Sequence, residues 1–453
     1  MDAYEARFGQ PIPGRPYWNR RMETLTPDAL DRLNERRLRT QMAYLRKRSK
    51  FYRRKLREAE LPKGSPAGLR DLERIPFTTK AELRASLDAA PPFGQHLAAR
   101  RDRLVRVHAS SGTTGRPTLC ALTGRDREMW KELSSRGLYT HGIRRGDVIA
   151  FGYSLPLFVA GLGLQEAFEN IGATFVPTSA GMSERLVGLI RQTEANVLVA
   201  TPSYALYLAE FVEEKMGLEA TELGIRKIKS GAEPGVGIPS VRARIEEAWG
   251  AMAVEGMGNA DVAPTIFCEC PYQNGMHFCG QGLVLVELIH PDGGEVIPLE
   301  DGASGELVYT SLEREASPVL RFRSGDVAEV AVDNCPCGRT GFRVRCFGRT
   351  DEMLKVRGVK VWPTAVQEVV ASFAPRTTGS VQLVLPVDTP SFAVEELVLQ
   401  VEHEVGSERE QEELRGELQE AFTSRLFVRP HVELVPKGSL PRSEMKSRLV
   451  RRG

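Results

Sequence analysis

Short hydrophobic runs alternate with longer helix-like stretches between residues 100 and 345. Runs of about four apolar residues are typical of strands buried inside a sheet. One of the intervening helices is predicted to begin at Thr201-Pro202 and to end near Gly217, because proline favours the first turn and glycine the end of a helix. Strands that alternate with helices indicate an α/β sheet with crossover connections. The clearest runs are 148–151, 197–200 and 251–254, and a further helix is predicted at 241–249.

The N-terminal part of the chain carries a helical pattern from residue 26 to about residue 60. Thr26 and Pro27 form a start signal, and apolar residues then recur with helical spacing as far as Leu45. The stretch 46–57 is strongly basic. We interpret it as the solvated face of the helix, and a nucleic-acid-binding patch is the alternative.

The pattern changes near residue 346. The polar, glycine-containing segment 347–352 predicts a domain boundary, and the rest of the chain mixes helical and extended periodicities. We therefore predict a large lobe at 1–347, a connection at 348–351 and a small α+β domain at 352–453. Within the small domain, the predicted helices are 362–373 and 408–425, and the predicted strands are 380–386, 396–404 and 431–435.

Composition is that of a globular protein with an ample core. The 453 residues are 42% hydrophobic and 26% charged, with a formal net charge of +2. This balance gives no electrostatic reason to expect nucleic acid or a membrane surface as a partner. No apolar run reaches the length of about 20 residues that spans a bilayer, and the first five residues show no secretory pattern. We expect a cytoplasmic protein.

Cysteine residues cluster between residues 268 and 346, where six of the seven lie. Two Cys-x-Cys pairs in one part of a chain favour a metal site over a disulfide framework. Four soft ligands from two separated segments fit tetrahedral zinc, and buried free thiols are the alternative. Cys120 and Cys346 are interpreted as core residues. The candidate ligands are Cys268, Cys270, His277, Cys279, Cys335 and Cys337.

A loop rich in serine, threonine and glycine follows the predicted strand at 104–107. Its glycines permit a tight turn, and its hydroxyls and N–H groups are suited to surrounding an anionic oxygen. Arg116 adds a fixed positive charge that suits phosphate. The spacing differs from that of a Walker loop, and an ordinary polar turn is the alternative. The loop residues are Ser110, Ser111, Gly112, Thr113, Thr114, Gly115 and Arg116.

Six motifs occur in one order along nearly the whole chain, and together they resemble the adenylate-forming superfamily. The likeness is to its phenylacetate–CoA ligase branch. It implies an α/β N-terminal AMP-binding (adenylation) domain and a mobile α+β C-terminal domain, with the connection at 348–351 acting as a hinge. The motifs are the loop at 110–118 and the segments 230–234, 323–326, 348–351, 356–361 and 441–446.

The resemblance implies a two-step reaction. An aryl carboxylate, phenylacetate-like or benzoate-like, attacks the α-phosphate of Mg-ATP and gives an acyl-adenylate and pyrophosphate. The small domain then rotates, and coenzyme A displaces AMP to form a thioester. ATP, Mg²⁺ and coenzyme A are therefore the implied cofactors, and a homodimer is a possible assembly.

Residue roles are carried over motif by motif. Lys446 is implied to bridge the acyl carboxylate and the α-phosphate, Asp326 to accept hydrogen bonds from the ribose, and Asp351 to be the pivot of the hinge. The implied nucleotide-binding residues are Ser110, Ser111, Gly112, Thr113, Thr114, Gly115, Arg116, Gly231, Ala232, Glu233, Pro234, Glu255, Gly256, Met257, Asp326 and Arg349. The implied zinc ligands are Cys270, His277, Cys335 and Cys337, with Cys268 and Cys279 as alternates.

Several positions depart from the family pattern. Glu255 stands where the family has a tyrosine, and Asn259 stands where it has a glutamate that supports Mg²⁺. Asparagine offers a neutral oxygen, and Asp261 is a second candidate for this catalytic role. Arg116 replaces a lysine, and Met445 replaces a glycine. These departures leave open a weak, altered or catalytically silent nucleotide-binding homologue.

The acyl pocket is predicted to be aromatic and apolar, which suits a flat aryl group. Its candidate residues are Tyr139, Tyr153 and Phe158, together with the surroundings of Gly231 and Gly256. The sequence does not name the acid. It also leaves open an enzyme that passes the acyl group to an amine or a carrier protein instead of coenzyme A.

Overall fold

The computed structural model describes residues 16–61, 68–110, 118–155, 158–179, 181–386, 389, 391, 394–441 and 449–452. The helices of this part of the chain are α1 (Arg20–Glu23), α2 (Pro27–Arg48), α3 (Lys50–Glu58), α4 (Lys80–Ala89), α5 (Gly124–Thr140), α6 (Val159–Ile171), α7 (Ser183–Thr193), α8 (Pro202–Met216), α9 (Pro239–Trp249), α10 (Pro363–Ala371) and α11 (Glu408–Leu426). None of them is both long and apolar enough to cross a membrane.

The strands form one large sheet and three smaller ones. They are β1 (Leu104–Ala109), β2 (Leu119–Thr123), β3 (Val148–Phe151), β4 (Thr174–Val176), β5 (Val197–Ala200), β6 (Lys227–Gly231), β7 (Met252–Asn259), β8 (Ala263–Glu269), β9 (Met276–Phe278), β10 (Val284–Ile289), β11 (Val296–Ile297), β12 (Ser304–Ser311), β13 (Phe322–Ala331), β14 (Arg343–Arg349), β15 (Leu354–Val356), β16 (Val359–Val361), β17 (Thr377–Leu385), β18 (Val398–His403), β19 (His431–Pro436) and β20 (Val450–Arg452).

The large sheet has twelve described strands in the order β11-β10-β12-β13-β14-β9-β8-β7-β6-β5-β3-β4. From β4 to β7 neighbouring strands are parallel, and from β7 to β11 they are antiparallel. The predicted α/β class is confirmed, and the strands at 148–151 and 197–200 match the predicted bounds. The crossover connections end at β7, however, so the antiparallel half is a feature that the sequence analysis did not predict.

Capping residues fix the ends of the helices that frame this sheet. Helix α8 begins after Thr201, whose side chain accepts the N–H of Tyr204, and it ends at Gly217 with φ +63°. This is the start and stop that the sequence predicted, because only glycine adopts a positive φ without strain. The predicted helix at 26–60 is two helices instead, since the hydroxyl of Ser49 accepts the N–H of Tyr52 and begins a new helix.

The basic stretch 46–57 has one buried face. Phe51, Tyr52 and Lys55 are buried, and the ammonium of Lys55 pairs with Glu82 at 2.7 Å. The remaining lysine and arginine side chains of α3 are exposed on the opposite face. This arrangement matches the interpretation as an amphipathic, solvated helix.

The C-terminal part of the chain is a small α+β unit, as predicted. Strands β15 and β16 form a hairpin, and β19-β18-β17-β20 form a four-stranded sheet. Helices α10 and α11 pack against that sheet around a core that includes Val366, Leu383, Leu399 and Phe422. The exact domain boundaries and the hinge at 348–351 stay predictions.

Candidate active site and metal cluster

A cavity of about 340 Å³ opens at the ends of β6 and β7, where the large sheet changes from parallel to antiparallel pairing. Ligands of open α/β sheets bind outside the carboxyl ends of the strands. Strands β13 and β14 close the cavity on its other side. Its lining includes the predicted site residues Ser110, Ala232, Glu233, Pro234, Glu255, Gly256, Met257, Asn259, Asp261, Asp326, Arg349 and Asp351.

A sharp turn after β6 forms one wall of the cavity. Ala232 has a φ of +73°, which a residue with a side chain rarely adopts. A Cβ on Gly231 would lie 2.1 Å from the carbonyl oxygen of Gly256, so this close approach of two strands requires glycine. Glu233 is held in place because its Oε1 accepts the N–H of Ser203 at 2.9 Å, at the start of α8. The turn is therefore rigid and opens directly into the cavity.

Asp326 and Arg349 face each other across β13 and β14. Arg349 Nη1 donates to Asp326 Oδ1 at 3.0 Å, and Arg349 Nε donates to Asp351 Oδ1 at 2.9 Å. Burial raises the pKa of Asp326, although Arg349 opposes that rise. Burial disfavours the charge of Arg349, but the carboxylates of Asp326 and Asp351 outweigh it and hold its pKa above its usual range. Ser324 and Asn259 also hydrogen-bond the Asp326 carboxylate, and these bonds favour its charged form.

Asn259 and Asp261 lie together at the end of β7. The backbone N–H of Asp261 donates to Asn259 Oδ1 at 3.0 Å. The carboxylate of Asp261 binds Lys80 Nζ at 2.5 Å and accepts the hydroxyl of Thr118 at 3.3 Å. Asp261 is therefore already neutralised by a lysine. The sequence analysis did not identify Lys80.

Helix α4 brings two positive side chains to the cavity. Lys80 and Arg84 both line it, since residues four apart lie on one face of a helix. The Nε atom of Arg84 is buried without a hydrogen-bond partner among the described residues. Thr79 and Glu82 form a capping box that fixes the start of α4. A lysine and an arginine at this spacing after a capping box were the signal that the sequence offered.

The phosphate-type loop is described only at its two ends. The N–H of Ser110 donates to the carbonyl of Thr118, and the N–H of Thr118 donates to the hydroxyl of Ser110, both at 3.0 Å. The loop is thus closed at its base, beside Asp261. Ser111, Gly112, Thr113, Thr114, Gly115 and Arg116 lie outside the described residues, and so does Lys446.

Glu255 lies in the cavity wall close to a second carboxylate. Burial and the carboxylate of Glu269 raise the pKa of Glu255 to about 7, while Arg242 and Lys229 oppose the rise. The backbone N–H of Glu255 donates to Glu269 Oε2 at 3.1 Å, and Arg242 binds both oxygens of Glu269. The negative charge of Glu255 is therefore disfavoured by the fold.

Glu255→Gln is expected to stabilise the protein at alkaline pH. The folded state holds a proton on Glu255 that the unfolded chain releases, so stability falls as pH rises from about 4.3 to about 7. Because the side chain is only partly buried, we expect the variant to gain about 1–2 kcal/mol in unfolding free energy at pH 8 and nothing at pH 4. Urea denaturation at both pH values measures this. The exposed control Glu247→Gln should show no such gain, and an equal gain at pH 4 would contradict the explanation.

The three aromatic residues proposed for the acyl pocket do not line this cavity. Tyr139 packs between Trp18, with ring centroids 5.9 Å apart, and the guanidinium of Arg144, 3.6 Å above its ring. Tyr153 is buried beside Lys229, and Phe158 pairs with Ala109 through an isolated bridge. Tyr139 has the weakest geometric support as a substrate contact. All three assignments stay predictions.

Four side chains converge from the end of β8, from β9 and from the loop between β13 and β14. The ligand atoms of Cys270, His277, Cys335 and Cys337 all lie within 4.8 Å of one another. The sulfurs of Cys270 and Cys335 are 3.6 Å apart, and Cys337 Sγ lies 3.3 Å from His277 Nε2. Zinc–sulfur bonds of about 2.3 Å at tetrahedral angles place two sulfurs about 3.8 Å apart. The donor set and its spacing therefore fit zinc.

The other cysteines lie outside this cluster. Cys268 and Cys279 are buried next to each other in the core, and Cys120 accepts a hydrogen bond from Arg314. Cys346 packs against the core, as interpreted, and it also lines the cavity described above. The N-terminal segment covers the cluster, since Arg339 pairs with Glu23 at 2.9 Å and Tyr17 donates to the carbonyl of Cys337.

Comparisons with known proteins agree with this geometry. A family model described as the AMP-binding enzyme C-terminal domain matches residues 358–451. The phenylacetate–coenzyme A ligase of Thermus thermophilus is 37% identical over 442 residues, which cover 93% of this chain and 96% of that protein. The relative thus spans both the large sheet and the small domain.

Solved structures add information on domain arrangement. A 2-hydroxyisobutyryl-CoA ligase in the postadenylation state, with 2-HIB-AMP, superposes with a TM-score of 0.89 at 30% identity, covering 98% of this chain and 94% of that one. The same ligase in the thioesterification state gives a TM-score of 0.71 at 31% identity, with the same coverage. The domains of this chain are thus arranged more like the postadenylation state. The chain belongs to the phenylacetate–coenzyme A ligase branch of the adenylate-forming superfamily.

Proposed function

We propose that this chain is an AMP-forming acid–coenzyme A ligase that activates an aryl carboxylic acid as its acyl-adenylate. The observation that carries the proposal is the cavity in which Asp326, Arg349 and the turn 231–234 converge at the sheet's switch point. Relatives from several bacteria are phenylacetate–coenzyme A ligases, and a more distant one from Thauera aromatica is a benzoate–CoA ligase. These names support an aryl acid as the substrate class.

The nucleotide is proposed to lie between β7 and β13. A buried carboxylate such as Asp326 suits two neighbouring ribose hydroxyls, because an acceptor that is already fixed in position loses little conformational entropy when it binds them. Arg349 holds that carboxylate in position through a 3.0 Å hydrogen bond. The turn 231–234 and the strand segment 255–257 form the walls on which the base and sugar rest.

Positive charge around the phosphates supports the first step. In that step an oxygen of the carboxylate bonds to the α-phosphorus as the bond to pyrophosphate breaks, and negative charge moves to the leaving group. Lys80 and Arg84 line the cavity, and the loop 110–116 and Lys446 are the predicted further donors. Positive groups that are already in position stabilise the negative charge that develops on pyrophosphate, because they do not need to reorient during the reaction.

Mg²⁺ would neutralise phosphate charge when it is bound with ATP. Oδ1 of Asn259 and the carboxylate of Asp261 are oxygen donors of the kind that Mg²⁺ accepts, and both line the cavity. Because Lys80 already binds Asp261, the residues left for the ion carry little net charge. This is the observation that favours the alternative of a weakly active or silent homologue.

The second step is proposed to need rotation of the small domain about Asp351. A second cavity, of about 420 Å³, lies between the large domain and the small one and shares Glu233 and Pro234 with the first. Rotation at Asp351 would change its lining, which also includes Gly379 and Leu440 on the small domain. Transfer of the acyl group to an amine or a carrier protein is the alternative outcome of the same motion.

Two assays test the proposal. Exchange of labelled pyrophosphate into ATP, driven by a panel of aryl acids, distinguishes an adenylating enzyme from a silent homologue. Formation of AMP and a thioester on addition of coenzyme A then distinguishes the ligase from an acyltransferase to amines. No exchange with any acid would overturn the proposal.

Asp326→Asn is expected to raise the KM for ATP by about 10- to 100-fold, because a neutral amide is a weaker acceptor and leaves Arg349 under-paired. Steady-state kinetics with ATP varied at a saturating acid concentration measure the change. The matched control is Asp292→Asn, which removes an exposed carboxylate that pairs with Lys360 at 2.7 Å. An unchanged KM in Asp326→Asn would remove this residue from the nucleotide site.

A structural zinc held by Cys270, His277, Cys335 and Cys337 is a further part of the proposal. The four ligands close a tetrahedral site, so the ion would crosslink three segments of chain and would not take part in the reaction. A homodimer and a cytoplasmic location complete the proposal, and light scattering tests the first.

A further inference from the structure

A buried polar cluster lies directly behind Gly256. Gly256 lines the nucleotide cavity on one side. A Cβ built on Gly256 would lie 2.8 Å from Nε2 of His141 and 3.5 Å from Cε of Lys229. Tyr153 completes the cluster, because Lys229 Nζ lies 3.5 Å from its hydroxyl. His141 and Lys229 therefore lie against Gly256, which also lines the cavity.

The ammonium of Lys229 lacks an anionic partner. No carboxylate of the described residues lies within ion-pair distance of Nζ, and its nearest polar neighbour is the hydroxyl of Tyr153. Burial lowers the pKa of Lys229 to about 8, while Cys268 and Glu255 oppose that change. A lysine kept buried with so few hydrogen bonds is costly unless a ligand completes them.

His141 presents the complementary group. Its Nδ1 lies 2.9 Å from the carbonyl oxygen of Glu269, so Nδ1 carries the proton and Nε2 carries the lone pair. Nε2 is fully buried without a hydrogen-bond partner in the described part of the chain. Burial, followed by the charge of Lys229, lowers the pKa of His141 to about 3, which keeps the ring neutral. The unpaired acceptor of His141 and the side chain of Lys229 thus lie on the same side of Gly256.

Two members of the cluster keep a small exposed area, whereas His141 is 0% exposed. Lys229 is 5% and Tyr153 is 6% exposed, whereas Ile228 and Ser230, on either side of Lys229 in β6, are 0% exposed. Lys229 pairs in register with Val254, immediately before Glu255 and Gly256 on β7. The side chain therefore lies beside Gly231 and Gly256, whose surroundings are predicted from the sequence to form part of the acyl pocket.

We propose that Lys229, His141 and Tyr153 form the end of the acyl pocket and bind a hydroxyl group on the aromatic ring of the acid. This inference rests on the proposed function and narrows its substrate class to hydroxylated aryl acids. A hydroxyl accepts a hydrogen bond from Nζ of Lys229 and donates one to Nε2 of His141, so both groups are satisfied at once. A second carboxylate would accept from Lys229 but would face the lone pair of His141. An unsubstituted ring would leave both groups unpaired.

Pyrophosphate exchange with matched acids tests the inference. The wild-type protein is expected to have a kcat/KM at least about 10-fold higher for hydroxybenzoates or hydroxyphenylacetates than for benzoate, phenylacetate or terephthalate. Lys229→Met should reduce that preference to within about 2-fold. The control Lys227→Met removes a lysine from the same strand, paired instead with Asp147, and should keep the preference.

A binding measurement on the intact protein makes the test independent of turnover. 4-Hydroxyphenylacetate is expected to bind at least about 10-fold more tightly than phenylacetate in a calorimetric titration, because only its hydroxyl accepts from Lys229 and donates to Nε2 of His141. His141→Leu should weaken this binding as well. This inference alone is overturned if the protein exchanges pyrophosphate with unsubstituted acids and shows no preference for hydroxylated acids. It is also overturned if the protein prefers terephthalate. No exchange with any acid would overturn the proposed function together with it.

Discussion

Replacing Lys446 by alanine is expected to lower the rate of acyl-adenylate formation by at least about 100-fold, the scale of losing one preorganised charge that stabilises a transition state. Thioester synthesis from a supplied acyl-adenylate should stay within about 3-fold of wild type, because the lysine is assigned to the first step only. Pyrophosphate exchange measures the first step, and thioester formation from chemically prepared acyl-adenylate measures the second.

The described residues on either side of Lys446 support its assignment to the first step only. Leu440, Pro441 and Leu449 line the second cavity together with Glu233 and Pro234, which also line the nucleotide cavity. The described residues that flank Lys446 therefore lie at a cavity that shares Glu233 and Pro234 with the nucleotide cavity. The segment that carries Lys446 belongs to the domain that is proposed to rotate between the two steps, so its lysine would be withdrawn before coenzyme A reacts.

The control for this variant is Lys437→Ala. Lys437 lies on the same domain, is exposed and pairs with Glu404 at 3.2 Å, and its removal should change neither step. Equal loss of both steps in Lys446→Ala would show that the residue supports the fold or the nucleotide site in general. Such a result would remove the lysine from the role given to it.

Local signals in the sequence were enough to predict helices and strands in the parallel half of the large sheet. Thr201, Pro202 and Gly217 define α8 because capping acts over a few residues. The break at Ser49 was missed because the apolar spacing continues across it, whereas the cap depends on a single hydroxyl. The antiparallel strands were missed for another reason. Strand β8 is buried along its whole length, so its burial shows no alternation that would distinguish it.

The residues of the candidate site also fall into those that local sequence signals predicted and those that they did not. Asp326, Arg349 and the turn 231–234 were found because each belongs to a local motif. Lys80 was missed because the capping box before it indicates only the start of a helix, and its partner, Asp261, lies 181 positions away in the chain. The neighbourhood of His141 and Lys229 was equally hidden, since it depends on the packing of α5 against the sheet and on the absence of a side chain at Gly256.

The metal cluster gives the second large prediction. Cys270→Ala is expected to abolish binding of about one zinc per chain and to lower the free energy of unfolding by about 3 kcal/mol or more, because metal binding to a site formed only in the folded chain adds to folding. Metal analysis after preparation without chelator measures the first effect, and urea denaturation measures the second. The assignment would be contradicted if the wild-type protein contained no zinc and Cys270→Ala left the free energy of unfolding unchanged.

The chain offers a matched control in Cys279→Ala. Cys279 is as buried as Cys270 and follows His277 by two residues, yet it lies outside the cluster. Its loss should cost only about 1 kcal/mol, the scale of a small cavity, and should keep the metal. The N-terminal segment covers the cluster, because Tyr17 donates to the carbonyl of Cys337 and Glu23 pairs with Arg339 on the β13–β14 loop. Because β13 carries Asp326 and β14 carries Arg349, loss of the metal should loosen the nucleotide site through the strands and raise the KM for ATP before the protein unfolds.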